Sequence, residues 1–273
     1  MTVPSQPQPG LWHHKNDSFR ELSLLQKKNN KDVDVQLNKD SGHCWLVPNV
    51  ILYDRPTNGW FNNEFHKAGL VMLGNLDNDV EGMDLKKKGV KTSAWTFWPR
   101  RPYVVETMLE KECILEWDKR DIESIFVGNF ENKTQEKYRK TDDDWESVLD
   151  VYHCTEGKKH KFTQEEYLGM LRRSKYGLCI RGYGKKCHRE VECMAWGTVP
   201  IITNDVCISS YINPPKEGVH YMRAHDREDM RRKLAGVRPE RWKKMSEACV
   251  EWYKENVHSE GSWNTTIKQI LYD

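Results

Sequence analysis

The sequence predicts an α/β protein in which parallel strands are covered by helices. The first observation is that apolar runs alternate with amphipathic, charged runs in the second half of the chain. The second is that these apolar runs are almost continuous, as in strands that are buried on both faces. The third is that the segments between them are long enough for the crossover helix that parallel strands require. The predicted strands are 124–129, 151–154, 176–180, 198–203 and 218–224.

Helices are predicted between these strands and after the last one. Thr163 is placed to cap a helix, with Glu166 at the third helical position to complete a capping box. Pro239 is placed to begin a long helix, because proline is favoured in a first helical turn. The predicted helices cover 132–150, 163–174, 188–197, 239–258 and 262–273.

The first half is α/β in character but less regular. Its predicted strands are 44–54 (as one or two strands), 70–75, 93–99 and 113–117, and its predicted helices are 18–30 and 103–111. Two α/β halves joined near residues 118–123 predict two facing Rossmann-like domains, 1–120 and 121–273. Ligands of such folds bind at the carboxyl ends of strands, so we expect a site in the cleft between the halves.

Composition excludes several classes of function. The net charge is only +2 over 273 residues, which argues against a general nucleic-acid binder. No apolar run approaches the roughly 18 residues of a membrane span, and the amino-terminal segment lacks the apolar core of a secretory signal. The eight cysteines never form a C-x-x-C pair, which argues against a zinc ribbon. We therefore expect a reducing, cytoplasmic location.

The loop that follows the strand 176–180 carries the clearest functional pattern. Gly182 and Gly184 permit a tight, exposed turn directly after Arg181, and a helix begins a few residues later. A helix amino terminus favours phosphate, and Arg189 in its first turn adds a bidentate guanidinium. Glu192 lies three residues further on the same helical face, where it would bind ribose hydroxyls or form an ion pair on a solvated surface.

A second strand end repeats this arrangement. Gly128 and Asn129 are placed at a strand-to-helix turn, and Arg139 follows on the next helix. Arg139 either points toward the same phosphates or is a solvated helix charge. Lys185 and Lys186 are expected to be solvated charges at the rim of the loop.

The loop and its helix resemble the donor-binding segment of exostosin-like glycosyltransferases, including compact members carried by large algal viruses, among them a xylosyltransferase. The resemblance covers about 25 residues and rests on R-G-Y-G-x4-R-x2-E-x4-G-x-V-P. The pattern is carried by Arg181, Gly182, Tyr183, Gly184, Arg189, Glu192, Gly197, Val199 and Pro200. The family usually has Ser-Pro before the arginine, where this chain has Cys187 and His188.

The resemblance implies a GT-B architecture with parallel sheets in both domains and a final helix crossing back to the first. It implies an inverting, metal-independent enzyme without a cofactor, whose substrate is a nucleotide sugar. Arg189 would contact the diphosphate and Glu192 the ribose, with His188 beside them. A UDP-sugar is the expected donor, with xylose as the specific sugar, and a glycan or glycoprotein is the expected acceptor.

An inverting transfer needs a base that takes a proton from the acceptor hydroxyl. Asp54 ends an apolar run before a Pro-Thr-Asn-Gly turn and is the first candidate, although a turn aspartate also fits that position. Glu64 and His66 follow, and then Asp77 and Asp79.

Aromatic side chains in the first half divide into two expected groups. Trp60, near Asn58, is predicted to contact the acceptor sugar, and Trp95 or Trp98 is predicted to lie in the core.

Two other classes of function compete with the enzyme. A non-catalytic carbohydrate- or nucleotide-binding module would use the same basic loop without a base. A nicotinamide-dependent enzyme is disfavoured, because no G-x-G-x-x-G motif follows a strand.

Overall fold

The computed structural model describes the second half of the chain almost completely and the first half in part. The described residues are 21–22, 24–26, 28–29, 36–37, 43–47, 50–53, 70–73, 87, 89, 91–94, 98–140, 144–182, 184–209 and 211–272. The chain divides into two compact units. The first comprises Met1–Tyr103, Ser210–Asn213 and Lys254–Asp273, and the second comprises Val104–Ser209 and Pro214–Tyr253. The predicted domain boundaries stay a prediction.

The first unit contains a mixed sheet with the strands in chain order. They are β1 (Gln36–Leu37), β2 (His43–Val47), β3 (Val50–Tyr53), β4 (Leu70–Leu73) and β5 (Thr92–Ala94). β1, β2 and β3 pair antiparallel, whereas β3, β4 and β5 pair parallel. The prediction of a wholly parallel sheet is wrong for this unit, because only two residues separate β2 from β3 and parallel neighbours need a far longer connection.

The second unit contains a wholly parallel sheet, which confirms the predicted α/β class. Its strands are β6 (Ile122–Phe130), β7 (Val151–Glu156), β8 (Ser174–Cys179), β9 (Val199–Thr203) and β10 (Met222–Ala224). They pair in the order β10-β9-β8-β6-β7. This is the doubly wound order 2-1-3-4-5, in which the direction of winding reverses between β6 and β8. Ligands of open α/β sheets bind at the carboxyl ends of the strands beside such a switch point.

Helices follow most of these strands. They are α1 (Pro102–Lys111), α2 (Lys133–Arg139), α3 (Gln164–Arg173), α4 (His188–Ala195), α5 (Arg227–Ala235) and α6 (Pro239–Asn256). The capping box of α3 is confirmed, because Thr163 Oγ1 accepts from Glu166 N and Glu166 Oε2 accepts from Thr163 N. Gly197, just after α4, has φ 65°, a left-handed conformation that favours glycine at a helix end.

Three sequence predictions fail in the second unit. The helix expected over 132–150 ends at Arg139, and a 3₁₀ turn follows at Trp145–Val148, because the intervening run of aspartates favours turns over helix. The strand expected at 113–117 does not form. Its last residue, Trp117, instead packs edge-on against Trp242 with the ring centroids 5.5 Å apart. The helix α5 was missed because it is so highly charged that only Asp229 and Met230 are buried.

The core of the second unit lies between the parallel sheet and its helices. Phe126 and Tyr176 from the strands and Trp242 from α6 are each at most 1% exposed. Cys179, Cys193 and Cys249 are fully buried among them, as expected for cysteines that act as small hydrophobic residues.

Arg120, just before β6, connects residues next to the amino ends of β6, β8 and β9. Its Nε donates to Leu115 O (2.9 Å), its Nη1 to Ser174 O (2.5 Å) and Thr198 Oγ1 (3.1 Å), and its Nη2 to Trp196 O (2.7 Å). The guanidinium also lies over the Trp242 ring at 4.8 Å. Every nitrogen of this buried side chain therefore has an acceptor.

The last helix, α7 (Ser259–Tyr272), belongs to the first unit. Gln26 Nε2 donates to Ser262 Oγ (2.9 Å) and Gln269 Nε2 donates to Ser93 Oγ (2.9 Å), so α7 contacts both the helical segment near residue 26 and β5. Trp98 is fully buried in this unit, which confirms its predicted place in the core.

Candidate anion-binding site

The predicted donor residues of the second unit meet at the switch point between β6 and β8. Arg139, the last residue of α2, is only 7% exposed. Its Nε donates to Arg181 O (3.3 Å), just beyond β8, and its Nη1 donates to Asn129 O in β6. Arg139 therefore bridges the carboxyl ends of the two strands. The alternative of a solvated helix charge is wrong, because the side chain is buried.

Arg189 reaches the same place from the opposite side. It is the second residue of α4, after β8, and its Nη2 donates to Val127 O in β6 (2.7 Å). Its guanidinium lies 4.3 Å from the centroid of the Phe126 ring, and the side chain is 8% exposed. Its Nε and Nη1 have no hydrogen-bond partner among the residues that the structure describes.

Each guanidinium packs against a glycine. Arg189, which follows β8, packs against Gly128 in β6, and Arg139, which follows β6, packs against Gly182 just beyond β8. A methyl group on Gly128 would lie 2.8 Å from Arg189 Nη2, and one on Gly182 would lie 2.9 Å from Arg139 Nη2. Neither glycine has a positive φ, and Gly182 is buried. The expectation of an exposed turn made possible by glycine is therefore wrong for Gly182. These two glycines are required by the close approach of the arginines.

The amino terminus of α4 is partly occupied by the chain itself. Cys187 and Glu190 form a capping box: Glu190 Oε2 accepts from Cys187 N (3.0 Å), and the Cys187 sulfur faces the Glu190 N–H. Glu190 is fully buried, and burial raises the pKa of its carboxyl to about 8. The sequence missed this pair. A glutamate three residues after a cap position is the signal that could have found it.

Glu192 is buried as well, at 3% exposure. Its Oε1 lies 3.5 Å from Gln164 Nε2 of α3. Burial, followed by the nearby Glu192 charge, raises the pKa of Tyr167 on the same helix well above its usual value. An ion pair between Glu192 and Arg189 on a solvated surface is therefore excluded, and ribose binding stays a prediction.

Three further residues, from the loop between β8 and α4 and the start of α4, differ in their surroundings. Arg181 lies over the Tyr138 ring at 4.8 Å, and His188 is buried at the start of α4. Lys186 is 1% exposed, so its expected role as a solvated rim charge is wrong. The reason is that the loop folds back onto the chain, where Cys207 N donates to Lys185 O (2.9 Å).

Asn129 and Gly184 are the remaining predicted donor residues that the structure describes. The Asn129 side chain donates to Glu131 Oε1 (2.9 Å) and Gly157 O (2.8 Å), so its amide is already engaged. Asn129 and Gly128 lie inside β6 rather than at the turn predicted for them. Gly184 is partly buried.

Several predicted site residues lie outside the described residues, so their roles stay predictions. They are Asp54, Glu64, His66, Asp77 and Asp79 as candidate bases, Asn58 and Trp60 as acceptor contacts, Trp95, and Tyr183 in the donor loop.

The arrangement suits an anion with more than one phosphate. Two buried guanidiniums, one from α2 and one from α4, donate to neighbouring carbonyls at the carboxyl end of β6, and that of Arg189 has two nitrogens still lacking an acceptor among the described residues. Buried cations are costly unless they are paired, and a diphosphate supplies several acceptor oxygens and a compensating charge. No group of three metal-ligating side chains occurs in the described part of the chain, and no helix there is long and apolar enough to cross a membrane.

Comparison with known proteins gives little support of its own. No protein-family profile and no curated sequence matches the chain. Among solved structures, the chain is similar to one titled as the crystal structure of the pneumococcal O-GlcNAc transferase GtfA in complex with UDP and GlcNAc, with 11% identity and a TM-score of 0.41. The match covers 79% of this chain and 48% of that one, so the chain spans about half of its length. A likeness this low leaves the chemistry to be inferred from the chain's own residues.

Proposed function

We propose that this chain is a glycosyltransferase whose nucleotide-sugar donor binds with its diphosphate between Arg139 and Arg189. The observation that carries the proposal is the crossing of these two buried arginines at the switch point of the parallel sheet. The position is where doubly wound sheets bind ligands, and the side chains are those that bind phosphate.

The same arrangement suits the chemistry of glycosyl transfer. As the bond to the anomeric carbon breaks, negative charge builds on the diphosphate that leaves. Preorganised cations in a site that excludes water stabilise that charge without rearranging during the reaction. Arg189 has donors to contribute, since its Nε and Nη1 have no acceptor among the described residues.

The fuller proposal adds what the resemblance implies. The enzyme is inverting and metal-independent, has a GT-B architecture, and uses a UDP-sugar, with xylose as the specific sugar. Glu192 binds the ribose, and Asp54 is the base, with Glu64 and His66 as the next candidates. Asn58 and Trp60 contact a glycan acceptor.

A calorimetric panel of UDP, GDP and NAD, each with and without EDTA, tests the donor class. Selective UDP binding that EDTA leaves unchanged is the expected result. Binding that disappears with EDTA contradicts the metal-free mechanism, and preference for NAD contradicts the proposal as a whole.

Replacement of the candidate base separates an enzyme from a non-catalytic binding module. We expect Asp54→Asn to lose sugar transfer from a UDP-sugar while UDP binding persists. The matched control is Asp118→Asn, an exposed aspartate next to Lys119 in the second unit, which should retain transfer. A wild-type protein that binds UDP but transfers no sugar would support the binding module.

A further inference from the structure

We propose that Cys187 is a modification site, a reactive thiol at the edge of the anion site that is oxidised by peroxides and alkylated by small electrophiles. The proposal stands on the geometry around the sulfur. Only its consequence, a block of donor binding, rests on the proposed function.

The helix terminus is the first feature that favours the thiolate. Cys187 precedes α4 in an extended conformation (φ −133°, ψ 164°), and its sulfur faces the backbone N–H of Glu190. Sulfur at the start of a helix receives N–H donors and the positive end of the helix dipole, both of which stabilise the ionised form.

A guanidinium is the second feature. A methyl group on Gly182 would lie 2.8 Å from Cys187 Sγ and 2.9 Å from Arg139 Nη2. The two atoms are therefore at most about 6 Å apart, a range in which a cation favours a thiolate. Arg189, which also interacts electrostatically with Cys187, is 8% exposed and has two nitrogens without an acceptor among the described residues.

The nearest carboxyl opposes this effect only weakly. Burial raises the pKa of Glu190 to about 8, so this carboxyl is mostly neutral at pH 7. The charged groups that the described residues place beside the sulfur are therefore mainly the two guanidiniums.

Exposure distinguishes Cys187 from the three thiols of the core. It is partly exposed, whereas Cys179, Cys193 and Cys249 are fully buried. Burial raises the pKa of both Cys179 and Cys249, which keeps them protonated and unreactive. Cys113 is exposed, but its sulfur lies 3.7 Å from Arg172 Nη2, so it also has a guanidinium beside it. The internal reference is Cys207, which is partly exposed like Cys187 and whose sulfur lies 3.3 Å from Ser209 Oγ.

The chemistry is a simple displacement. With hydrogen peroxide, the thiolate sulfur attacks one oxygen, the O–O bond breaks and hydroxide leaves; sulfur is oxidised to the sulfenic acid and the peroxide is reduced. With iodoacetamide, an S–C bond forms and iodide leaves. Both products add bulk beside Gly182 and Arg139, at the edge of the place between Arg139 and Arg189 where the diphosphate is proposed to bind.

The test is alkylation of the full chain by iodoacetamide at pH 7, followed by site-resolved mass spectrometry. We expect Cys187 to react about ten times faster than Cys207, since a thiolate is the reacting species. A rate at or below that of Cys207 overturns the proposal.

Arg139→Met tests the guanidinium argument. We expect the Cys187 rate to fall several-fold toward that of Cys207, and continued protection of Cys179 and Cys249 from alkylation shows that the variant is folded. An unchanged Cys187 rate in the folded variant overturns the role assigned to Arg139.

Peroxide treatment followed by UDP calorimetry separates this inference from the proposed function. Wild type is expected to lose UDP binding on oxidation, while Cys187→Ser, which keeps a capping side chain, is insensitive. Fast alkylation in a protein that never binds UDP would uphold the reactive thiol and contradict the proposed function. Equal UDP binding before and after complete oxidation of Cys187 overturns the proposed block.

Discussion

The two edges of the parallel sheet use buried arginines in opposite ways. At the amino edge, Arg120 donates four hydrogen bonds, to Leu115, Ser174, Thr198 and Trp196, and every nitrogen has an acceptor. At the carboxyl edge, Arg189 donates one hydrogen bond through Nη2, and its other two nitrogens have no acceptor among the described residues.

The difference separates a structural arginine from a binding one. A buried charge that is fully hydrogen-bonded holds its neighbours in place, and its removal leaves several carbonyls without a donor. A buried guanidinium with donors to spare contributes little to stability and is poised to bind an anion. The two edges should therefore respond to substitution in different ways.

Loss of Arg120 should produce the largest change in stability. Arg120→Met removes the guanidinium donor from three backbone carbonyls and a hydroxyl, of which only Ser174 O also accepts from Thr198 Oγ1, and we expect the free energy of unfolding to fall by about 3–5 kcal/mol. Urea unfolding measures this. The control is Arg173→Met, which removes an exposed ion pair with Asp121 and should cost about 1 kcal/mol or less. Equal losses in the two variants would contradict the role of Arg120.

Glu190, at the carboxyl edge, should make the free energy of unfolding depend on pH. Burial raises its pKa from 4.5 to about 8, so between these values the folded chain holds a proton that the unfolded chain has lost. Stability should therefore fall as pH rises through this window, by at most about 1.4 kcal/mol per pH unit. Glu190→Gln should lack this contribution.

Urea unfolding of both proteins at pH 5, 6, 7 and 8 measures the Glu190 contribution. The matched control is Glu166→Gln, which replaces the exposed capping-box glutamate of α3. A difference between wild type and Glu190→Gln that does not vary with pH would contradict the burial effect.

A methyl group that crowds Arg189 should have a smaller effect, which is on the affinity for UDP. The methyl group of Gly128→Ala would lie 2.8 Å from Arg189 Nη2, so the guanidinium must shift, and we expect UDP affinity to fall about tenfold, or about 1.4 kcal/mol. Gly169→Ala, on α3 with nothing within 4 Å, should leave UDP affinity unchanged. Calorimetry decides, and equal affinities in the two variants would count against close packing at Gly128.

The sequence predicted which residues lie at the carboxyl edge of the parallel sheet more accurately than it predicted their contacts. Local periodicity and turn residues predicted the strands of the second unit and the capping box of Thr163, because these depend on neighbours in the chain. The pairing of β2 with β3 depends on a short connection, and periodicity carries no information about strand direction. The wholly parallel prediction failed there for that reason.

The contacts within the site could not be predicted from local sequence patterns, because they join residues that are far apart in the chain. The sequence suggested Arg139 and Arg189 as phosphate ligands, but each also had a solvated alternative that only burial excludes. The packing of Gly128 and Gly182 against guanidiniums from other elements is a long-range contact, and a glycine in a loop predicts a turn first. Lys186 was misplaced for the same reason, since the loop that carries it is held by a long-range hydrogen bond from Cys207 N to Lys185 O.

Calorimetry with UDP and with uridine tests the arginine site most directly, because the two ligands differ only in the diphosphate. We expect wild type to bind UDP at least about a hundredfold more tightly than uridine, a difference of about 2.7 kcal/mol. In Arg189→Met this ratio should collapse, while the free energy of unfolding changes by about 1 kcal/mol or less. A UDP-to-uridine ratio that is the same in wild type and Arg189→Met would contradict the assignment of Arg189 as a ligand of the diphosphate.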